Sequence, residues 1–291
     1  MPDGIFGNTI AISGSTGFLG RKVIDELGST NRIIALTRED FGKDGGKLAK
    51  KIGEAEIIVN LAGAPIIRRW TRTNRNVIYE SRIGTTGVIV DCLRKIGRKG
   101  IRFLSVSAIG IYDFVGRHTE SSGAYTEGFM KKLVTDWEKA AMAAGKYCES
   151  VSILRLGVVL GENGGILKRV LPLFRMGLGA RIGKGEQVLS YVHIDDVVGS
   201  MVHLLEAGRN GIFNTVSPNP VTNREFTRCL ASLVNKPAVL VIPVFMLKML
   251  LGEGASAILN GPYVIPEKLV ESGYNFKFEK LEHALYDIIK R

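Results

Sequence analysis

The sequence predicts an α/β fold, a doubly wound parallel sheet followed by a smaller C-terminal α/β lobe, on three observations. A glycine turn, Gly14-Ser15-Thr16-Gly17-Phe18-Leu19-Gly20, joins an apolar run at 9–13 to a helical pattern at 21–28. Strand-like runs and helical patterns then alternate through the first half of the chain, the signature of parallel strands with crossover helices. With 291 residues, 45% of them hydrophobic, the chain can bury a full core as one large domain or as a domain plus a lobe.

The glycine turn sits where a phosphate cradle forms. Gly14 permits a tight turn, Gly17 lets the backbone approach a pyrophosphate, and Gly20 lets the helix pack closely on its strand. The spacing is G-x-x-G-x-x-G, and Gly is abundant at 35 residues, so the motif is weak alone. The second apolar run, 32–38, ends in Thr37 and Arg38, where an NAD site places a carboxylate. A hydroxyl and a guanidinium suit a ribose 2′-phosphate, so the expected cofactor is NADP. The alternative is a surface Arg38 with Glu39 turned inward to serve NAD.

Residues 42–46 form a glycine- and lysine-rich connection. Gly46-Lys47 and Gly183-Lys184 both fail the P-loop pattern, lacking its first Gly and its Ser or Thr. The run 56–60 reads as a third strand ending in Leu61-Ala62-Gly63, small residues placed to line the adenosine side of the cofactor. Helices are expected near 73–81, with Arg82 just beyond, and near 86–96. A fourth strand covers 101–107, a long helix 127–144, and the next strand with its turn 151–161.

The texture changes from residue 167. The stretches at 177–179 and 182–185 are loop-rich, and the segment 190–196 leads into a helix that Asp195 or Asp196 would cap. Thr222-x-x-Glu225 is a capping-box signature for a helix near 223–233. The apolar stretch 238–251 contains Pro243 and Lys248 and is too short to span a bilayer, which takes about 20 residues. A strand at 238–242 and an amphipathic helix fit it better, and 281–291 reads as a closing amphipathic helix. The expected division is a cofactor domain over 1–166, completed by a strand near 211–216, and an interleaved substrate lobe over 167–291 with a helical segment from about 240.

Composition excludes several classes. Cys92, Cys148 and Cys229 are odd in number and lack metal-ligand spacing, which points to a reducing compartment without disulfides. Residues 1–7 show no signal-peptide pattern. The net charge of +11 brings no arginine-rich run or RNA-binding aromatic pair, so no nucleic-acid partner is expected, and no membrane partner. A cytoplasmic location follows as the expectation.

These residues resemble the extended short-chain dehydrogenase/reductase superfamily, in its epimerase/dehydratase branch, and more narrowly the atypical epimerase family proteins with a C-terminal domain of unknown function. Residues 14–20, 60–63, Arg69-Trp70, Ser81-Arg82, Trp137-Glu138, 154–161, 191–196 and 221–226 carry the resemblance. It implies a Rossmann sheet in the order 3-2-1-4-5-6-7. It also implies pyrophosphate binding by Gly14, Ser15, Thr16, Gly17, Phe18 and Leu19, and 2′-phosphate binding by Thr37 and Arg38. Leu61, Ala62 and Gly63 would line the adenosine half, Arg82 would reach the cofactor, and the Val159 backbone would meet the nicotinamide carboxamide. A small-molecule substrate is implied, nucleotide sugars being the branch's usual class. A homodimer through the helices near 86–96 and 127–144 is also implied.

The chain departs from the superfamily at its chemistry. In the helix where Tyr-x-x-x-Lys belongs stand Phe129 and Leu133, and neither moves a proton. The pair Tyr286 and Lys290 falls in the last helix and reads as chance. Ser107, Tyr112 and His193 are the weak candidates left, with a structural hydrogen bond the expected role for His193 before its helix. A metal site from His193, Asp195 and His203 has no recognised spacing, and no metal is expected. Two readings follow: an NADP-dependent oxidoreductase or epimerase-like enzyme, and a non-catalytic NADP(H)-binding sensor or scaffold.

Overall fold

The computed structural model describes residues 4–42 and 46–290. Residues 1–3, at the start of the segment read for a signal peptide, 43–45 of the expected 42–46 connection, and Arg291 lie outside the described residues. Along the first half run β1 (Thr9–Ser13), α1 (Phe18–Leu27), β2 (Arg32–Leu36), α2 (Gly46–Gly53), β3 (Ile57–Asn60), α3 (Arg72–Tyr79), α4 (Thr85–Ile96), β4 (Arg102–Ala108), β5 (Arg117–His118), α5 (Phe129–Met142) and β6 (Ser150–Leu156). The second half adds β7 (Val158–Leu160), α6 (Leu167–Arg175), β8 (Ala180–Ile182), β9 (Val188–Leu189), β10 (Tyr191–His193), α7 (Ile194–Glu206), β11 (Gly211–Thr215), β12 (Val221–Thr222) and α8 (Asn223–Leu233). It closes with β13 (Leu240–Ile242), α9 (Val244–Leu251), α10 (Ser256–Leu259), β14 (Tyr263–Val264), α11 (Glu267–Glu271) and α12 (Leu281–Lys290).

The main sheet is parallel, in the order β11-β6-β4-β3-β1-β2. The expected order 3-2-1-4-5-6-7 is therefore corrected: β3 pairs with β1 on the side away from β2, with Ile10 opposite Ile57 and Ile12 opposite Val59. Burial explains the difference. All four β3 residues are buried, which suits a central strand covered on both faces, whereas β2 leaves Arg32 and Ala35 exposed and serves as the edge. The described residues between β2 and β3 supply no further strand, because Arg38–Phe41 coils as a 3₁₀ turn and α2 begins at Gly46.

Alternate strand residues feed two cores. Ile10, Ile12, Val59, Leu104 and Leu154 pack with Val197, Met201 and Leu204 of α7. Their neighbours Ala11, Ile58, Phe103 and Ile153 pack with Leu48 and Ile52 of α2 and Ile89 and Leu93 of α4. The period of two along each strand is what divides them. A third core, built from Leu167, Leu171 and Phe174 of α6, Phe226 and Leu230 of α8, and Leu281, Leu285 and Ile288 of α12, holds the C-terminal lobe.

Three local expectations change. The strand and turn expected over 151–161 divide at Gly157, where a Cβ would lie 2.3 Å from the Ser190 carbonyl oxygen; β6 stays in the main sheet and β7 pairs instead with β10. The helices expected near 73–81 and 86–96 run together through a π turn at Glu80–Gly84, so Arg82 lies within the helical run rather than beyond it. Helix α9 is not amphipathic: none of its residues is buried, and its apolar side chains spread all round it. The capping box of α8 forms as read, with Glu225 accepting from the Thr222 N–H at 2.6 Å and Thr222 accepting from the Glu225 N–H at 3.2 Å.

Candidate cofactor and substrate site

The carboxyl ends of β1, β2 and β3 meet at the glycine turn. Gly14 has φ +70°, and a Cβ there would lie 2.9 Å from the Leu61 carbonyl. Gly20 is closed to any side chain, since its Cβ would fall 2.2 Å from the Gly14 oxygen. Gly17 is the N-cap of α1 without a side-chain cap, and no acid occupies the first turn. The N–H groups and positive dipole end of α1 are thus left for an anion. Ser15 is buried and Thr16 exposed, while Leu19 and Leu61 are half-buried against the core. Phe18 lies under the loop after β7: a Cβ on Gly161 or Gly164 would strike its ring at 2.6 or 2.1 Å.

A buried polar cluster that the sequence reading missed fixes the neighbouring loop. Ser13 Oγ donates to Asn60 Oδ1 at 2.6 Å, and Asn60 Nδ2 donates to Thr86 Oγ1 and Ser105 Oγ at 2.8 and 3.2 Å. Ser13 Oγ in turn accepts from the Leu61 and Ala62 N–H groups at 3.2 and 3.3 Å. Asn60 at the end of an apolar strand was the available signal, since a buried amide must find partners.

Arg82 reaches Gly63 from the π turn. A Cβ on Gly63 would lie 3.0 Å from its Cζ, its Nη1 donates to the Ile78 carbonyl at 3.1 Å, and its guanidinium stands 5.2 Å from the Trp137 ring. Burial pulls its pKa down to about 10, and no carboxylate lies within ion-pair distance among the described residues. A desolvated guanidinium without a counter-charge is a ready anion partner.

At the end of β2, Thr37, Arg38 and Glu39 are all exposed. Thr37 caps the 3₁₀ turn, and its N–H and hydroxyl both donate to Asp40, at 2.7 and 3.1 Å. Asp40 also takes Lys51 Nζ at 2.8 Å. Burial pushes the Asp40 carboxyl up, but the bonds from Lys51 and Thr37 outweigh it and hold it below its ordinary value. The inward-facing acid is therefore Asp40, already committed, and Glu39 does not turn in.

The candidates for acid–base work are occupied elsewhere. Ser107 donates to Glu138 Oε1 at 2.7 Å, and Arg155 clasps the same carboxylate with Nε at 2.7 Å and Nη2 at 2.8 Å. Arg155 Nη1 donates to the Tyr112 hydroxyl at 2.7 Å, which donates to Asn214 Oδ1 at 2.9 Å. Tyr112 is fully buried, and burial raises its pKa against the opposing pull of Arg155 and Asn214. His193 is the N-cap of α7: its Nδ1 accepts from the Asp195 N–H at 3.1 Å. This corrects the expected Asp195 or Asp196 cap. Asp195 pairs with Lys22 at 2.9 Å, and Asp196 accepts from the N–H groups of Lys277 and Phe278 at 2.7 and 2.9 Å.

His203 lies at the far end of α7, 2.9 Å from Ser272 Oγ, and does not join His193. The group gathered instead is His193, Asp195 and Asp287, with His193 Nε2 3.4 Å from Asp287 Oδ2. Phe129 meets Trp70 edge-on at 5.1 Å between ring centres, and Leu133 is buried beside Trp70 and Ile78. The place of the proton-transfer pair is thus an apolar cluster. Tyr286 and Lys290 line a cleft of about 420 Å³ on α12 in the C-terminal lobe. Val159 stands opposite Val192 in the β7–β10 pair.

Fold and glycine turn together define a dinucleotide-binding α/β protein of the short-chain dehydrogenase type. Residues 10–215 match the NAD dependent epimerase/dehydratase family, to which the chain belongs, and residues 242–288 match a domain of unknown function, DUF1731. The chain is 33% identical to the chloroplastic epimerase family protein SDR39U1 homolog of Arabidopsis thaliana, over 97% of this chain and 87% of that one. It is 31% identical to human epimerase family protein SDR39U1, over 96% and 99%. The crystal structure of human SDR39U1 isoform 2 with NADPH superposes with a TM-score of 0.88 at 29% identity, covering 97% and 99% of the two chains. MoeE5 in complex with UDP-glucose and NAD, at 16% identity and a TM-score of 0.77 over 97% of each chain, shares the fold. No described helix is long and apolar enough to cross a membrane.

Proposed function

We propose that the protein binds NADP(H) across the carboxyl ends of β1–β3 and acts as an oxidoreductase or epimerase-like enzyme on a small molecule. Residues 1–166 are the cofactor unit and 167–291 the substrate lobe. The observation that carries the reading is Arg82, half-buried against Gly63 with no carboxylate in ion-pair distance among the described residues, together with an α1 whose N-terminus has no side-chain cap. In this reading Gly14 to Leu19 hold the pyrophosphate and Arg38, exposed at the end of β2, takes the 2′-phosphate. Thr37 contributes less than expected because its hydroxyl serves Asp40. Leu61, Ala62 and Gly63 line the adenosine half, and the Val159 backbone meets the carboxamide. When bound, the nicotinamide supplies a hydride.

The chain's own residues bind, orient and exclude water. Neither Phe129 nor Leu133 delivers the accompanying proton, so a group of the substrate lobe or the substrate itself provides it. A nucleotide sugar, the ligand class of MoeE5, is one candidate substrate. A homodimer through α4 and α5 belongs to the same proposal.

A second reading, a non-catalytic NADP(H) sensor, is favoured by the apolar packing of Phe129 and Leu133 around Trp70. The test is titration with NADPH and NADH followed by NADPH oxidation in the presence of fractionated small-molecule extract. Tight NADPH binding with specific oxidation supports the enzyme. Binding with no turnover supports the sensor, and no binding overturns both.

A further inference from the structure

A run of exposed apolar side chains lies in the C-terminal lobe, away from the glycine turn in sequence. Phe245, Met249 and Leu250 of α9 are 67%, 65% and 62% exposed, and Met176 at the end of α6 is 62% exposed. Val239, Leu240 and Val241 are exposed on and beside β13, whose only partner strand among the described residues is β8. These pieces are continuous. Val241 sits opposite Arg181 in the β13–β8 register, a Cβ on Gly179 would touch Phe174 and Ala238, and one on Gly183 would touch Val244. Helix α9 exposes Val244, Phe245, Met246, Met249 and Leu250 and half-buries Leu247 and Leu251, so most of its circumference is apolar and open.

Cations outnumber acids along this face. Residues 163–185 contain Lys168, Arg169, Arg175, Arg181 and Lys184, and residues 236–252 contain Lys236 and Lys248, while Glu162, Glu186 and Glu253 stand at the segment ends and Glu253 is paired with Arg75. A second copy docked on this face would bring like charges together. An open apolar helix face flanked by an excess of cations matches a fluid, negatively charged surface, where apolar side chains enter the acyl boundary and the cations meet headgroups.

We propose that this face, α6, β8, β13 and α9, seats the protein peripherally on an anionic lipid surface, in place of the absence of any membrane partner expected from the sequence. Phe245, Met249 and Leu250 are the inserted residues, and Arg175 and Lys248 the headgroup contacts.

The test is sedimentation of the full chain with vesicles of phosphatidylcholine alone and of phosphatidylcholine with phosphatidylglycerol in equal parts. Binding to the anionic vesicles, weakened by added salt, is expected. Phe245→Glu should reduce it by about tenfold or more, and Lys248→Glu with Arg175→Glu by a similar factor. Circular dichroism and NADPH titration on each variant exclude misfolding. Failure to bind anionic vesicles, equal binding to neutral ones, or a dimer in light scattering that Phe245→Glu dissociates would each overturn the proposal.

Discussion

The Arg82 guanidinium lies against Gly63 so closely that one added carbon on Gly63 would come within 3.0 Å of its Cζ. The glycine leaves room for the cation, and the cation, short of any carboxylate, leaves room for an anion. Gly63→Ala should displace the guanidinium and weaken NADPH binding several-fold without lowering Tm by more than a degree or two. Arg82→Ala should weaken it more, by about 1.5–3 kcal/mol, the usual value of a charged hydrogen bond. Calorimetric titration separates the two, and unchanged affinity in Arg82→Ala removes Arg82 from the site.

On the proposed reading, Arg38 sets the preference between NADPH and NADH. Losing its charge-assisted contact to a 2′-phosphate should cost NADPH on the order of 1.5–3 kcal/mol, roughly ten- to a hundredfold in Kd, and leave NADH nearly unaffected. Equal effects of Arg38→Ala on the two nucleotides would place the 2′-phosphate elsewhere.

Ser107 and Tyr112 sit in a buried hydrogen-bond network, and the proposed function gives them a structural role. Ser107→Ala should cost about 1 kcal/mol of stability and leave kcat for any substrate within a few-fold. Glu138→Gln, which strips Arg155 of its buried counter-charge, should cost about 3–5 kcal/mol in denaturant unfolding. A hundredfold fall in kcat with stability intact in Ser107→Ala would return that hydroxyl to the catalytic list.

Asp40 gives a pH dependence of known sign. Its folded pKa is lowered below the ordinary 3.8, so its contribution to stability is fully present above that value. It is lost as pH falls from there through the folded pKa. Lys51→Met should lower stability at neutral pH and flatten the acid limb below pH 3.8, a difference read from urea unfolding at several pH values.

The backbone logic of the fold was legible because it rests on local chemistry. Gly14 turns with a positive φ and Gly20 lets α1 close on its strand, as their spacing requires, and the Thr222–Glu225 box forms as four residues specify. What stayed hidden depends on distant partners. The position of β3 is settled by which strand tolerates an edge, and Asn60 shows its role only when Ser13, Thr86 and Ser105 arrive from three other elements. The capping by His193 displaces two better cap formers, Asp195 and Asp196, because Lys22 and the backbone at 277–278 claim them first. The π turn that aims Arg82 leaves no mark in periodicity over so few residues.

The last strand of the main sheet, β11, is separated from its neighbour β6 by the whole stretch from Gly157 to Asn210, which leaves to build β7, α6 and α7 and then returns. As the chain leaves the ribosome, the sheet therefore stays open along β6 until residue 215 has been made. Separating the chain within 157–210 would leave β6 paired with β4 on one side and bare along the edge that β11 covers, instead of releasing two closed pieces.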